Sequence, residues 1–501
     1  MISGTVWILL VLAVVLLLGL YLRNVLMSRR VYWRSRRIPF VAWPHLLFGN
    51  VRGLWSSEHS STLLQRIYRD LKERRLAAGG FNLFVSPSIL VIDPDLVQQI
   101  LEKGAEVFRD RGLYVDSAMD PLSDTLFGLG GKQWQEKRVR LAPVFSEQTI
   151  RRVFGTIASV ANELQVEIRK NYDRSEIDVQ EWVYRYVTHV LGTSVFGVRC
   201  RTIQYSNTEF RATGEKAGEF SWITLLKHWA GVALPSIARK MGLRITDASV
   251  EKFYAGLCTA TVLHRKSYGV WKDDILQLLI RLREEQKISM DELTTQCYSF
   301  VKYGLETCTS VMTFCLYELA KNDTIQNRLR EGINHSLEDT DGQLTYEVIM
   351  SMPYLDQVVN ETMRKYPPMD LLYRRSNTTH SKIPKGTLFV IPVYALHHDP
   401  DHFPSPEKFD PDRFASGVKT RHPYCYLPFG AGPRGCVGAH FGSLVVKIGL
   451  VTLLRNFRFV LPADDNNDDD GGFQPGEVKF KPNALVLSPI EGSLRLGVER
   501  I

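Results

Sequence analysis

The stretch YLPFGAGPRGCVGAHFG, residues 426–442, constrains the chain more than any other feature. Three glycines and a proline before Cys436 can build a tight loop that exposes the sulfur on one side while backbone N–H groups converge on it. Gly438 then opens a helix whose positive N-terminal end favours a thiolate. A cysteine elsewhere in a chain is usually a small buried hydrophobe. In a loop of this composition it reads as a presented ligand.

A second stretch, VKYGLETCTS at 301–310, lies in a run that reads as one buried helix, roughly Met290 to Lys321. A glycine inside a helix costs about 1 kcal/mol relative to alanine, and β-branched Thr307 is a modest helix former. Something other than helix stability selects Gly304, Glu306 and Thr307 there.

The totals narrow the rest. The chain has 501 residues, 45% hydrophobic and 23% charged, enough to bury a large core around a ligand. Of the net charge of +8, six units belong to Arg23, Arg29, Arg30, Arg34, Arg36 and Arg37, which leaves +2 elsewhere. One local cluster is not the broad basic face of a nucleic-acid binder. The arginines follow the uncharged run VWILLVLAVVLLLGLYL, Val6 to Leu22, which is long enough to span about 30 Å of hydrocarbon. Positive charge after the run, not before it, favours an uncleaved transmembrane anchor over a signal peptide, with the bulk of the chain cytosolic. Seven scattered cysteines, an odd number without CxxC spacing, exclude a disulfide framework and fit a reducing compartment.

Along the chain, IPFVAWPHLLFGN follows the arginines as a stiff, proline-containing lead. Helical patterns then dominate to about Leu282, interrupted by the β-rich FNLFVSPSILVID. The segment from Asp273 reads as an amphipathic helix before the long central one. Beyond Pro367 come short elements, including the strand-like TLFVIPVYAL, and a last helix from about Gly438 to Asn456. The run DDNNDDDGG, 464–472, lacks the spaced ligands of a calcium loop and reads as solvated. The expected architecture is mainly α with a smaller β-rich part, divided as anchor 1–22, basic linker 23–50 and one large domain 51–501.

The cysteine loop resembles the haem-binding signature FGxGxRxCxG of the cytochrome P450 superfamily, filled by Phe429, Gly430, Gly432, Arg434, Cys436 and Gly438. Other motifs follow in that family's order. ETMR supplies Glu361 and Arg364, one helical turn apart, and FDPDRF supplies Arg413, resembling the family's buried structural triad. The resemblance implies that Cys436 is the axial thiolate of haem b. It also implies that Trp134, Arg138, Arg111, Arg374 and Arg434 hold the propionates, and that Phe429 flanks the cofactor. The stretch FRDRGLYVDSAMDPLSDTLFGLGGKQWQEKRVRLAPVFS is most similar to insect microsomal members that oxidise hormones and foreign compounds.

For the central helix, the resemblance implies that Gly304, Glu306 and Thr307 form the oxygen-activation site, with the hydroxyl and the acid steering protons. Electrons would come from NADPH through a partner reductase docking near Cys436, with cytochrome b5 as a further partner. The expected setting is the endoplasmic reticulum membrane, and the substrate is a lipophilic small molecule. Substrate contacts are expected around Tyr114 to Thr125, Phe220 to Ser236 and Met369 to Leu372.

Tyr303 departs from the pattern, standing where the family carries a small residue. Four residues from Thr307, it shares that face, so a phenol would point where oxygen or substrate should sit. It keeps open a haem-thiolate protein of altered chemistry: an isomerase, a dehydratase or a low-turnover haem binder. His440 in place of the family's arginine, and Lys302 in an otherwise apolar segment, are smaller departures. Cys308 reads as packing.

Overall fold

The computed structural model describes residues 31–41, 49–50, 58–83, 86–171, 176–218, 222–379, 383–417, 421–462, 478–482 and 484–501. The apolar run at 6–22 and the acidic stretch at 464–472 lie outside them. Among the described residues, no helix is long and apolar enough to cross a membrane.

Eight helices frame the site: α1 (Ser60–Glu73), α2 (Gly131–Leu141), α3 (Glu147–Asn171), α4 (Val179–Val195), α5 (Glu209–Gly218), α6 (Met290–Lys321), α7 (Pro353–Lys365) and α8 (Ala439–Leu454). The 32-residue α6 is launched by a reciprocal capping box, in which Ser289 accepts from the Glu292 N–H and Glu292 reaches back. Every residue from Cys308 to Leu319 is buried, so this half of α6 runs through the core. α4 and α8 pack against it, and α3 closes the bundle over both. The expectation for this helix and for α8 holds to within two residues. The amphipathic segment forms a helix at Ile275–Glu284, capped by the Asp274 carboxylate.

The β-rich part is two small sheets. The first uses β1 (Ala78–Leu83), β2 (Ser86–Val91), β4 (Leu371–Arg375) and β5 (Leu388–Pro392) in the order β1-β2-β5-β4. The β2–β5 pair is parallel and the others antiparallel, which places Arg374 opposite Phe389. The second sheet sets β7 (Arg495–Arg500) between β3 (Glu176–Asp178) and β6 (Phe457–Val460). One hydrophobic core lies among the helices, and a second joins α1 to the four-stranded sheet.

Part of the stretch read as a linker is packed on this second core. Trp33 is 1% exposed, and residues 39–41 bond to β1: Gly80 N–H donates to Pro39 O at 2.7 Å and Val41 N–H to Gly80 O at 2.9 Å. The tryptophan ring lies so close to Gly80 that a Cβ there would come within 2.5 Å of it.

Candidate active site

Cys436 ends a loop whose shape depends on two glycines with positive φ, Gly430 at 67° and Gly432 at 69°. At Gly432 the demand is also spatial, because a Cβ would sit 1.9 Å from the Leu101 carbonyl oxygen. The loop folds back so that Cys436 N–H donates to Phe429 O at 2.8 Å. Of the seven free cysteines only Cys436 is exposed, and its surface faces a cavity of about 770 Å³. Burial in the surrounding protein raises its thiol above the usual value, opposed by the Gly438 N–H and the charges of Arg111 and Arg138. The helix start therefore moderates the shift and does not reverse it.

Around the sulfur stands a cluster of cations. Arg434 donates to the carbonyls of Arg109 and Leu129, both at 2.8 Å, and stacks 3.8 Å from the Trp134 ring. Arg111 donates to the Arg434 carbonyl at 2.7 Å and lies 4.3 Å over Phe127. Arg374 stands one layer back in β4, donating to its neighbour's carbonyl at 2.8 Å, and it does not line the cavity. Burial, helped by neighbouring cations, lowers Arg111 to about 10 and both Arg374 and Arg434 to about 9. All stay charged at neutral pH. Against them stands Asp110, 3.3 Å from Arg434, which also accepts from the Gly131 N–H at the start of α2. Arg138, on α2 with Trp134, completes the wall.

The long helix α6 contributes Tyr303, Gly304, Glu306 and Thr307 to the same cavity. Thr307 donates its hydroxyl to the Tyr303 carbonyl at 2.7 Å, one turn back, which leaves the oxygen lone pairs to the cavity. Glu306 turns toward the end of α5, where a Cβ on Gly218 would come 2.8 Å from Oε1. Burial pushes its carboxyl up to about 6, with Lys302 and Lys481 opposing. The two groups that sequence patterning pairs thus point to different neighbours. Lys302 does not reach for solvent: it donates to the Ala217 carbonyl, and burial lowers it to about 8. The Tyr303 hydroxyl lies 3.1 Å from that of Thr125, with its ring 4.7 Å from Phe127. His440 pairs with the Tyr346 hydroxyl, and Cys308 is buried.

Behind the loop, Glu361 and Arg364 are fully buried and joined at 2.7 and 2.9 Å, with Arg413 at 3.4 Å from the same carboxylate. Patterning along the chain does not reveal what couples this group to the loop. His397 stands between, its Nδ1 3.2 Å from the Arg364 carbonyl and its Nε2 accepting from Leu427 N–H at 2.9 Å. Those partners assign the proton to Nδ1. Asp110 was likewise missed, since its partner lies in a distant part of the chain.

The family model described as Cytochrome P450 matches residues 40–485, across both motifs and both walls. The chain belongs to the cytochrome P450 family. It is 36% identical over 459 residues to "Probable cytochrome P450 6a13" of Drosophila melanogaster, covering 89% of this chain and 92% of that one. Cytochrome P450 6a2 of Drosophila melanogaster is 33% identical, over 94% of this chain and 95% of its own length. Cytochrome P450 6A1 of Musca domestica is 34% identical, over 94% of each. Cytochromes P450 are haem-thiolate monooxygenases, and the residues present fit that cofactor. The sulfur faces a cavity of suitable size, and the buried arginines have more charge than Asp110 can balance, which suits a group bringing carboxylates.

Proposed function

We propose that this cytochrome P450 inserts one atom of dioxygen into a lipophilic substrate, with electrons from NADPH delivered by a membrane-bound reductase. The observation that carries this reading is that Cys436, from its loop, and Thr307, from α6, line one cavity. Haem held by Cys436 would supply the oxygen-activating chemistry. Arg111, Arg138, Arg434 and Trp134 would hold its propionates, with Arg374 adding charge from behind and Phe429 supporting the loop. Thr307, already donating to a carbonyl, would accept and pass on a proton at its oxygen. Glu306, poised near 6, would reload it from the side of α5.

The walls outside the cofactor region are largely apolar, including Phe127, Phe300, Val311, Met369, Leu371 and Leu372. This supports a lipophilic hormone or foreign compound as substrate. Met369 to Leu372 were expected to contribute. The 114–125 segment acts instead through Thr125, which fixes Tyr303. A ring so fixed supports ordinary monooxygenation over a haem protein of altered chemistry. The apolar run at 6–22 and the arginines after it support an anchor in the endoplasmic reticulum membrane, with cytochrome b5 as a second electron donor.

Two measurements test the proposal. The reduced protein with carbon monoxide should give a thiolate-type absorption band that Cys436→Ala abolishes. With reductase and NADPH, Thr307→Ala should lower product formed per NADPH consumed by roughly tenfold. Product formed without a reductase, from a pre-oxidised substrate, would overturn the reading.

A further inference from the structure

Beyond Glu306 the cavity continues to a polar wall that oxygen chemistry does not use. Gln180 and Tyr184 line it, one turn apart on the same face of α4. Gln180 Oε1 and Tyr184 Oη are both buried without a hydrogen-bond partner among the described residues, and Tyr184 as a whole is 8% exposed. Buried polar atoms in folded proteins are nearly always paired, so two such atoms on residues one helical turn apart that line one cavity point to a ligand.

The surroundings hold them in place. Arg211 lies 5.5 Å from the Tyr184 ring centroid and is itself clamped by Glu181 at 2.5 and 2.6 Å and by Glu215 at 2.7 Å. The Asp178 carboxylate caps the first turn of α4, accepting from Glu181 N–H at 3.0 Å. Neither side chain has to be recruited from elsewhere to meet a ligand.

We infer that Gln180 and Tyr184 form a recognition subsite for a hydroxyl group on the lipophilic substrate, whose O–H donates to Gln180 Oε1 and whose oxygen accepts from Tyr184 Oη. A hydroxyl is the simplest group that donates and accepts at once. A ketone or ether only accepts, and an ammonium only donates. The subsite rests on the cavity's being the substrate chamber, as proposed above. It then names the substrate class: an alcohol on an apolar frame.

Equilibrium dialysis of the haem-loaded protein against decan-1-ol and its methyl ether tests this without turnover. The parent should favour the alcohol by about tenfold, the scale of one net hydrogen bond. Gln180→Leu should reduce that preference to about twofold while leaving affinity for the ether unchanged, and Tyr184→Phe should weaken alcohol and ether alike by about fivefold, because either oxygen accepts from the Tyr184 hydroxyl; an unaltered carbon monoxide band shows that both variants are folded. Equal affinity of the parent for alcohol and ether overturns the inference. So does full preference in Gln180→Leu, and so does unchanged affinity for both ligands in Tyr184→Phe, including the case in which that variant alters only the coupling of NADPH use to product. The carbon monoxide band reports separately on the haem reading, so a failure of one is not mistaken for a failure of the other.

Discussion

Glu306 shows how one side chain can be legible in type and illegible in setting. An acid before Thr307 is visible in the sequence, but its turn toward Gly218 depends on how α5 crosses α6. Its carboxyl is raised from 4.5 to about 6, so the folded state binds its proton more readily than the unfolded chain. The stability tied to that proton is complete below about 4.5 and is lost as pH rises through about 6. Glu306→Gln should therefore stabilise the protein at pH 8 by roughly 1 kcal/mol in urea melts, a figure reduced because the carboxylate borders the cavity, and leave it unchanged at pH 4. In turnover, the same variant should abolish the fall in coupling expected as the parent is taken above pH 6, where Glu306 loses the proton it supplies. Tyr303 carries the complementary lesson. Its size is plain in the sequence, whereas its restraint by Thr125 and Phe127 is not. Tyr303→Ala should destabilise the fold by about 3 kcal/mol and speed carbon monoxide rebinding after flash photolysis. Unchanged rebinding would mean that the ring does not border the ligand's path.

At the scale of elements, local signals served well where an element is decided locally. The Ser289 cap, the acidic start before Ile275 and the glycines before Cys436 each settle their own structure. What could not be read is how elements meet. His397 bridges α7 to the cysteine loop by bonds to two backbone groups, a role that no side-chain pattern announces. Burial lowers its ring well below 6.5, so its neutral form stabilises the fold fully above 6.5 and progressively less as pH falls toward the lowered value. His397→Leu, which leaves the Leu427 N–H unpaired, should cost about 2 kcal/mol in denaturant melts at pH 7.5. It should also flatten the loss of the thiolate-type band between pH 6.5 and 5. A variant as acid-sensitive as the parent would remove His397 from this role.

Across the whole molecule, the family motifs made the helical class and the cavity's two faces readable, because each motif carries its residues in one short stretch. The edge of the body was less readable: Pro39 and Trp33 resemble a linker until Gly80 is seen beside them. Removal of residues 1–30 should move the protein from the membrane pellet to the supernatant without changing its carbon monoxide band. Extending the deletion past Trp33 should lower the melting temperature. If the shorter deletion still pellets, the arginines or the body hold the membrane unaided.

The clustered arginines behind the sulfur also bear on biogenesis. Arg374 is depressed by Arg111 and Arg434, and Arg434 by Arg111, while Asp110 opposes the shift at Arg434 from 3.3 Å. A newly made chain must close this wall against its own repulsion until a dianionic guest arrives. Cofactor supply should then shape maturation: limited proteolysis should cut the segment carrying Arg111 more slowly in the loaded protein than in the unloaded chain.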